Sequence, residues 1–130
     1  MLCDVRRRLA KVYPRTENEY AAILFTGSGT AAVEAMVGSL VPREGKALVV
    51  ANGIYGERIA AMLQVQGKGS EIVRSEWTQP MDLEEAARRL DNVRFTHVIA
   101  VYHETTTGRL NDLSRRDLEE FVEAISKIIK

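Results

Sequence analysis

The chain is poor in several things that would have identified it quickly. It has one cysteine, Cys3, in 130 residues. That excludes an internal disulfide and any cysteine metal cluster, and it fits a reducing compartment. No apolar run approaches the roughly 20 residues a membrane-spanning helix needs. The start, "MLCDVRRRLAK", turns charged within four residues and lacks the apolar core of a signal peptide. The expected compartment is therefore the cytoplasm, with no membrane partner. There is no excess of either charge: 18 basic residues balance 18 acidic ones. Nucleic-acid binders carry a basic excess, so none is expected here. The triplet Arg6-Arg7-Arg8 reads as a solvated helix face. Repeats and low-complexity segments are absent. No Ser or Cys nucleophile comes with a convincing His and acid partner. His97 and His103 bracket one apolar run, too far apart to share a metal, and no metal site is expected.

What remains is an ordinary globular composition, 45% hydrophobic and 28% charged, at a length that suits one domain, 1–130. Val5, Leu9 and Val12 share a face over 3–13, which predicts an amphipathic helix that Pro14 ends. "AAILFT" (21–26) predicts a buried strand, and 30–40 a helix after a glycine turn. "ALVVAN" (47–52) predicts a second buried strand, followed by Gly53 and a helix to about 67. "SEIVRSE" (70–76) predicts a third strand, less apolar and so nearer an edge. "MDLEEAARRL" (81–90) starts acidic and ends basic, as the helix dipole prefers. "HVIAVYH" (97–103) predicts a fourth strand, "ETTTGRLND" a loop, and 114–129 a last helix with Leu118, Phe121, Val122, Ile125 and Ile129 on one face. Apolar strands without alternation, joined by helices, indicate a parallel sheet covered on both faces. The expected fold is a three-layer α/β/α domain with a mainly parallel sheet of about four strands.

Open α/β sheets bind ligands at the carboxyl ends of their strands. That rule selects the loops 27–30, 52–56, 75–79 and 103–108. The first, Gly27-Ser28-Gly29-Thr30, offers backbone N–H groups at a helix start, with two hydroxyls, as a phosphate requires. It is neither a P-loop nor a GxGxxG fingerprint, and the same residues also make a tight turn that packs helix on strand. In "NGIYGER", Tyr55 either stacks on a planar ligand or covers the core edge. In "HETTTG", Glu104 and three threonines are an unusual turn, able to bond a polar ligand or to cap a segment. Trp77 reads as partly buried structure.

Taken together, "LFTGSGTAAVEAMVGSLV", "VVANGIYGERIAAML" and "THVIAVYHETTTGRLN" resemble, in order and spacing, the class V, fold-type I aminotransferases that use pyridoxal phosphate. Among these they are most similar to the 2-aminoethylphosphonate–pyruvate transaminases. The resemblance runs from about residue 4 to about residue 111. It implies that Ser28, Gly29 and Thr30 cup the cofactor phosphate, that Tyr55 stacks on the pyridine ring, and that Thr105 contacts the ring substituents. Glu104, Thr106 and Gly108 would shape the last loop. It also implies a truncated large domain. The family's aspartate on the pyridine nitrogen and its Schiff-base lysine match nothing here, and Lys127 and Lys130 correspond to no family lysine. The resemblance thus implies a cofactor pocket without independent transamination. The alternatives are a small oligomeric binding or scaffold module, or one half of a split enzyme whose partner chain supplies the lysine and aspartate.

Overall fold

A computed structural model describes residues 1–12 and 21–111. Pro14 and the expected helix at 114–129 lie outside them. The chain divides into two compact units, Met1–Ala31 and Ala32–Lys130.

In the first unit, α1 (Leu2–Ala10) carries Asp4 in its first turn and Arg7 and Arg8 in its last. This order complements the helix dipole. Asp4 pairs with Arg7 and with the terminal amine. None of the residues of α1 is buried. Arg6 Nε donates to the Ala22 carbonyl at 2.9 Å. The run 21–26 is not a strand. Ile23 is 84% exposed and Phe25 54%. A strand needs a neighbouring edge to take its backbone hydrogen bonds, and among the described residues none pairs with this run. At its end α2 (Gly29–Leu40) begins.

The second unit is built on a parallel sheet. Strands β1 (Lys46–Ala51), β2 (Gly69–Arg74) and β3 (His97–Ala100) lie in the order β2-β1-β3. Val49 of β1 stands opposite Ile72 on one side and Ile99 on the other. The central strand is buried from Ala47 to Ala51. Its side chains alternate between two cores. Ala47 and Val49 join Val37, Val41, Ile59 and Leu63, so α2 and α3 (Ile54–Val65) cover that face. Leu48 and Val50 join Val73, Met81, Ala86, Leu90 and Phe95, under α4 (Leu83–Asn92). Burial on both sides is why the strand reads as a continuous apolar run. Among the described residues this unit is the expected α/β/α sandwich, with three parallel strands instead of about four. The third expected strand, β2, lies at an edge as its polarity suggested.

Helix α4 starts at Asp82, whose carboxylate accepts from the Glu85 N–H at 2.8 Å, the usual way to satisfy a first-turn donor. The expected fourth strand ends early, at Ala100. His103 opens a separate element: β4 (His103–Glu104) pairs antiparallel with β5 (Arg109–Leu110). The segment expected as a loop is therefore a small ribbon. Gly108 closes its turn with φ +67°, where a side chain would be strained.

Among the described residues, no helix is long and apolar enough to cross a membrane.

Candidate functional site

The carboxyl ends of the three parallel strands are joined by side chains from residues far apart in sequence. Asn52 follows β1 directly and is buried. Its Nδ2 donates to Asn111 Oδ1 at 2.7 Å and to the Gln79 carbonyl at 2.9 Å. Asn111 Nδ2 returns a bond to Asn52 Oδ1 at 3.1 Å and reaches the Val101 carbonyl at 2.7 Å. Ser75, just after β2, donates its N–H to the Ala51 carbonyl at 2.8 Å. Arg109 Nη1 donates to the Thr78 carbonyl at 2.7 Å, while its buried Nε finds no acceptor among the described residues. Trp77 in the same loop is 50% exposed, more open than its sequence position suggested.

Glu104 is the centre of this end of the sheet. It is 0% exposed. One carboxylate oxygen accepts from the Tyr55 backbone N–H at 3.0 Å, the other from Thr106 Oγ1 at 2.5 Å. Tyr55 is the second residue of α3, so Glu104 satisfies one of the free N–H groups at that helix start and faces its positive dipole end. Gly53 makes the approach possible. A Cβ there would stand 2.3 Å from Glu104 Cγ. Beyond this latch, Thr105 Oγ1 donates to the Tyr55 hydroxyl at 3.2 Å. The structure thus brings together two of the sequence-predicted residues, Tyr55 and Thr105. The Tyr55 ring is half-buried, and the Arg58 guanidinium lies 5.8 Å from its centroid, within cation–π range.

The other three predicted residues begin α2. Ser28, Gly29 and Thr30 are all exposed. Ser28 Oγ accepts from the Ala31 N–H at 3.2 Å. A Cβ on Gly29 would meet nothing within 4 Å. This helix start faces open space, with no carboxylate from the described chain seated on it.

Two of the chain's five lysines serve the opposite end of the sheet. Lys46 opens β1; its Nζ sits 2.6 Å from Glu71 and 5.4 Å from the Phe95 ring centroid. The Lys46 ammonium, foremost, and then Arg89 hold the Glu71 carboxyl below its ordinary range, against the opposing effect of burial. Lys68 precedes β2 and donates to the Gly38 carbonyl at 2.9 Å and to that of Val41. An open cleft of about 540 Å³ runs beside β2 and α3. Of its lining carboxylates, Glu57 pairs with Arg74 and Glu71 with Lys46 and Arg89.

No family model matches the chain. A 2-aminoethylphosphonate–pyruvate transaminase of Bacillus mycoides is 39% identical over 114 residues, which is 87% of this chain and 31% of that protein. The Bacillus cereus enzyme of the same name is 37% identical over the same shares. Among solved structures, the alanine–glyoxylate aminotransferase of Nostoc sp. superposes with a TM-score of 0.76 at 29% identity, over 92% of this chain and 32% of that one. The ureidoglycine–glyoxylate aminotransferase of Bacillus subtilis gives 0.74 at 25% identity, over 96% and 30%. Over most of its length the chain is homologous to one part of these aminotransferases. It spans about a third of the length of the curated relatives it matches.

Pyridoxal phosphate, the cofactor that the sequence resemblance implies, has a phosphate and a heteroaromatic ring, and each helix start is matched by itself to one of them. An open helix start with hydroxyls is suited to a phosphate dianion. A half-buried aromatic with a hydroxyl beside it is suited to a polar heteroaromatic ring. Sequence reasoning gave Glu104 only a general part in shaping its loop and gave Asn52 no role of its own. Their partners lie 49 and 59 residues away, and no local pattern announces such pairs. The visible signals were an acid directly after an apolar strand and a glycine where a helix begins.

Proposed function

We propose that this chain is the cofactor-holding part of an aminotransferase large domain. It binds pyridoxal phosphate without covalent capture, and these 130 residues by themselves do not transaminate. Ser28, Gly29 and Thr30 receive the phosphate: the backbone N–H groups and hydroxyls donate, and the dipole of α2 favours the dianion. Tyr55 receives a face of the pyridine ring, and the Thr105 hydroxyl bonds a ring substituent. When bound, the cofactor supplies the electron sink that amino-group transfer needs. The chain's own residues orient that group and keep its ring against an apolar surface.

The observation that carries the reading is the pairing of Tyr55 with Thr105 at the carboxyl ends of the parallel strands, in a chain homologous to aminotransferases. The lysines support the second half of it. Lys46 and Lys68 are engaged at the amino ends of β1 and β2, away from Tyr55. A covalent attachment needs an amine within bonding reach of the cofactor. On this reading, in which no lysine of the chain matches the family's Schiff-base lysine, activity requires a lysine from further chain or from a partner. The sheet favours such a partner: among the described residues β2 and β3 each pair only with β1, and open edges recruit neighbours. A homo-oligomer or a complementing chain would meet that need.

Titration of the purified chain with pyridoxal phosphate, followed by absorbance, tests this. We expect saturable binding that Tyr55→Ala weakens. Borohydride reduction and mass spectrometry then show no cofactor fixed at a single lysine. Cofactor fixed specifically at one lysine, or no saturable binding at all, overturns the reading.

A further inference from the structure

We infer that Glu104 is the positioning residue of the Tyr55 platform and that its carboxylate is the resident anion of the α3 helix start. The inference rests on the reading of Tyr55 and Thr105 as the ring-binding pair, and it adds a residue that reading does not use.

Three observations carry it. First, Glu104 is wholly buried, which carboxylates seldom are unless their oxygens are bonded. Second, its bonds go to specific partners. The Tyr55 N–H and Thr106 Oγ1 take one oxygen each. Glu104 thereby ties the first turn of α3 to Thr106 of the ribbon, and Thr105 is the residue between Glu104 and Thr106. Third, Gly53 offers no side chain where Glu104 Cγ passes; a Cβ would leave 2.3 Å between them. The chain is shaped to admit this side chain.

The consequence is a division of labour between helix starts. A first turn with free N–H groups attracts anions. At α3 the carboxylate already holds that position, so a phosphate is not bound there. The same bond fixes the Tyr55 backbone. The Thr105–Tyr55 hydroxyl bond at 3.2 Å then sets both polar groups of the platform. Glu104 does not touch the ring; it acts through Tyr55 and Thr105.

Backbone amide NMR of the 130-residue chain tests this with two probes, inorganic phosphate and pyridoxal phosphate. In the wild type, phosphate leaves the Tyr55 amide unmoved. In Glu104→Ala the vacated helix start gains a phosphate response at the Tyr55 amide. The same variant weakens pyridoxal phosphate by about tenfold, through loss of the held platform, while the phosphate response at Gly29 and Thr30 stays as in the wild type. A merely structural role would weaken both probes together and create no new response. If Glu104→Ala does not fold, Glu104→Gln keeps the shape and removes the charge; it then shows a smaller phosphate response at Tyr55, and Glu104→Asp does not. A Tyr55 amide that moves with phosphate in the wild type overturns the inference. So does a folded Glu104→Ala, or failing that a folded Glu104→Gln, with no new phosphate response. The proposed function fails separately, by the absence of any wild-type response at Gly29 and Thr30 or of cofactor binding.

Discussion

At the start of α3, Gly53 lies against the Glu104 side chain; at the start of α2, Gly29 faces open space. Both glycines stand where helices begin, and in the sequence only the turn at Gly29 reads as an anion cup. They differ in what the rest of the chain sends to meet them. One helix start is filled by a carboxylate from 49 residues away. Among the described residues, the other has only the adjacent Ser28 hydroxyl, on the Ala31 N–H. A glycine before a helix is thus not one feature with one meaning. It admits either a piece of the protein or a ligand, and the free N–H groups decide neither.

The largest expected effect breaks the comparison at Gly53. Gly53→Ala drives a methyl into buried Glu104 and costs about 3 kcal/mol, as overpacking of a closed site does. Gly29→Ala has room and stays within about 0.5 kcal/mol of the wild type. Urea denaturation of the two variants measures this, and equal losses would erase the distinction. Next comes the amide pair that joins the strand ends. Asn111→Leu strands the Asn52 amide, with a loss of about 2 kcal/mol in the same assay. The open turn responds less. Ser28→Ala removes the cap of α2 and costs about 1 kcal/mol, read as faster hydrogen exchange at the Ala31 amide.

The smallest effect lies at the amino end of the sheet and serves as the control. Glu71 is held below the ordinary glutamate range, mainly by Lys46. Its contribution is fully present above that range and is lost as pH falls through the lowered value. Glu71→Gln should therefore flatten the acid side of the stability profile and leave the two glycine turns unchanged. The pair is partly exposed, so the change is modest. An unaltered acid limb in that variant would remove Glu71 from the account.

Much of this was legible beforehand. The continuous apolar run at 47–51 implied a strand buried on both faces, and the two cores on either side of β1 are its physical form. The acid-to-base order of 81–90 marked α4 to within two residues. The "HETTTG" segment stood out for its chemistry, though its ribbon did not. Alternation over two-residue strands is too short to register. The run 21–26 misled for a related reason: its composition is that of a strand, but composition does not supply the edge a strand must pair with.

The sequence by itself determined the layers around β1, because hydrophobic patterning is a local property of a chain. It also carried the candidate ring-binding and phosphate-binding residues, through motifs that keep their order and spacing. Only the tertiary structure decided which helix start is closed. Glu104 reaches Tyr55 across 49 residues, and Asn52 reaches Asn111 across 59. Contacts of that separation are set by how the strands are ordered in the sheet, and no stretch of neighbouring residues contains that information.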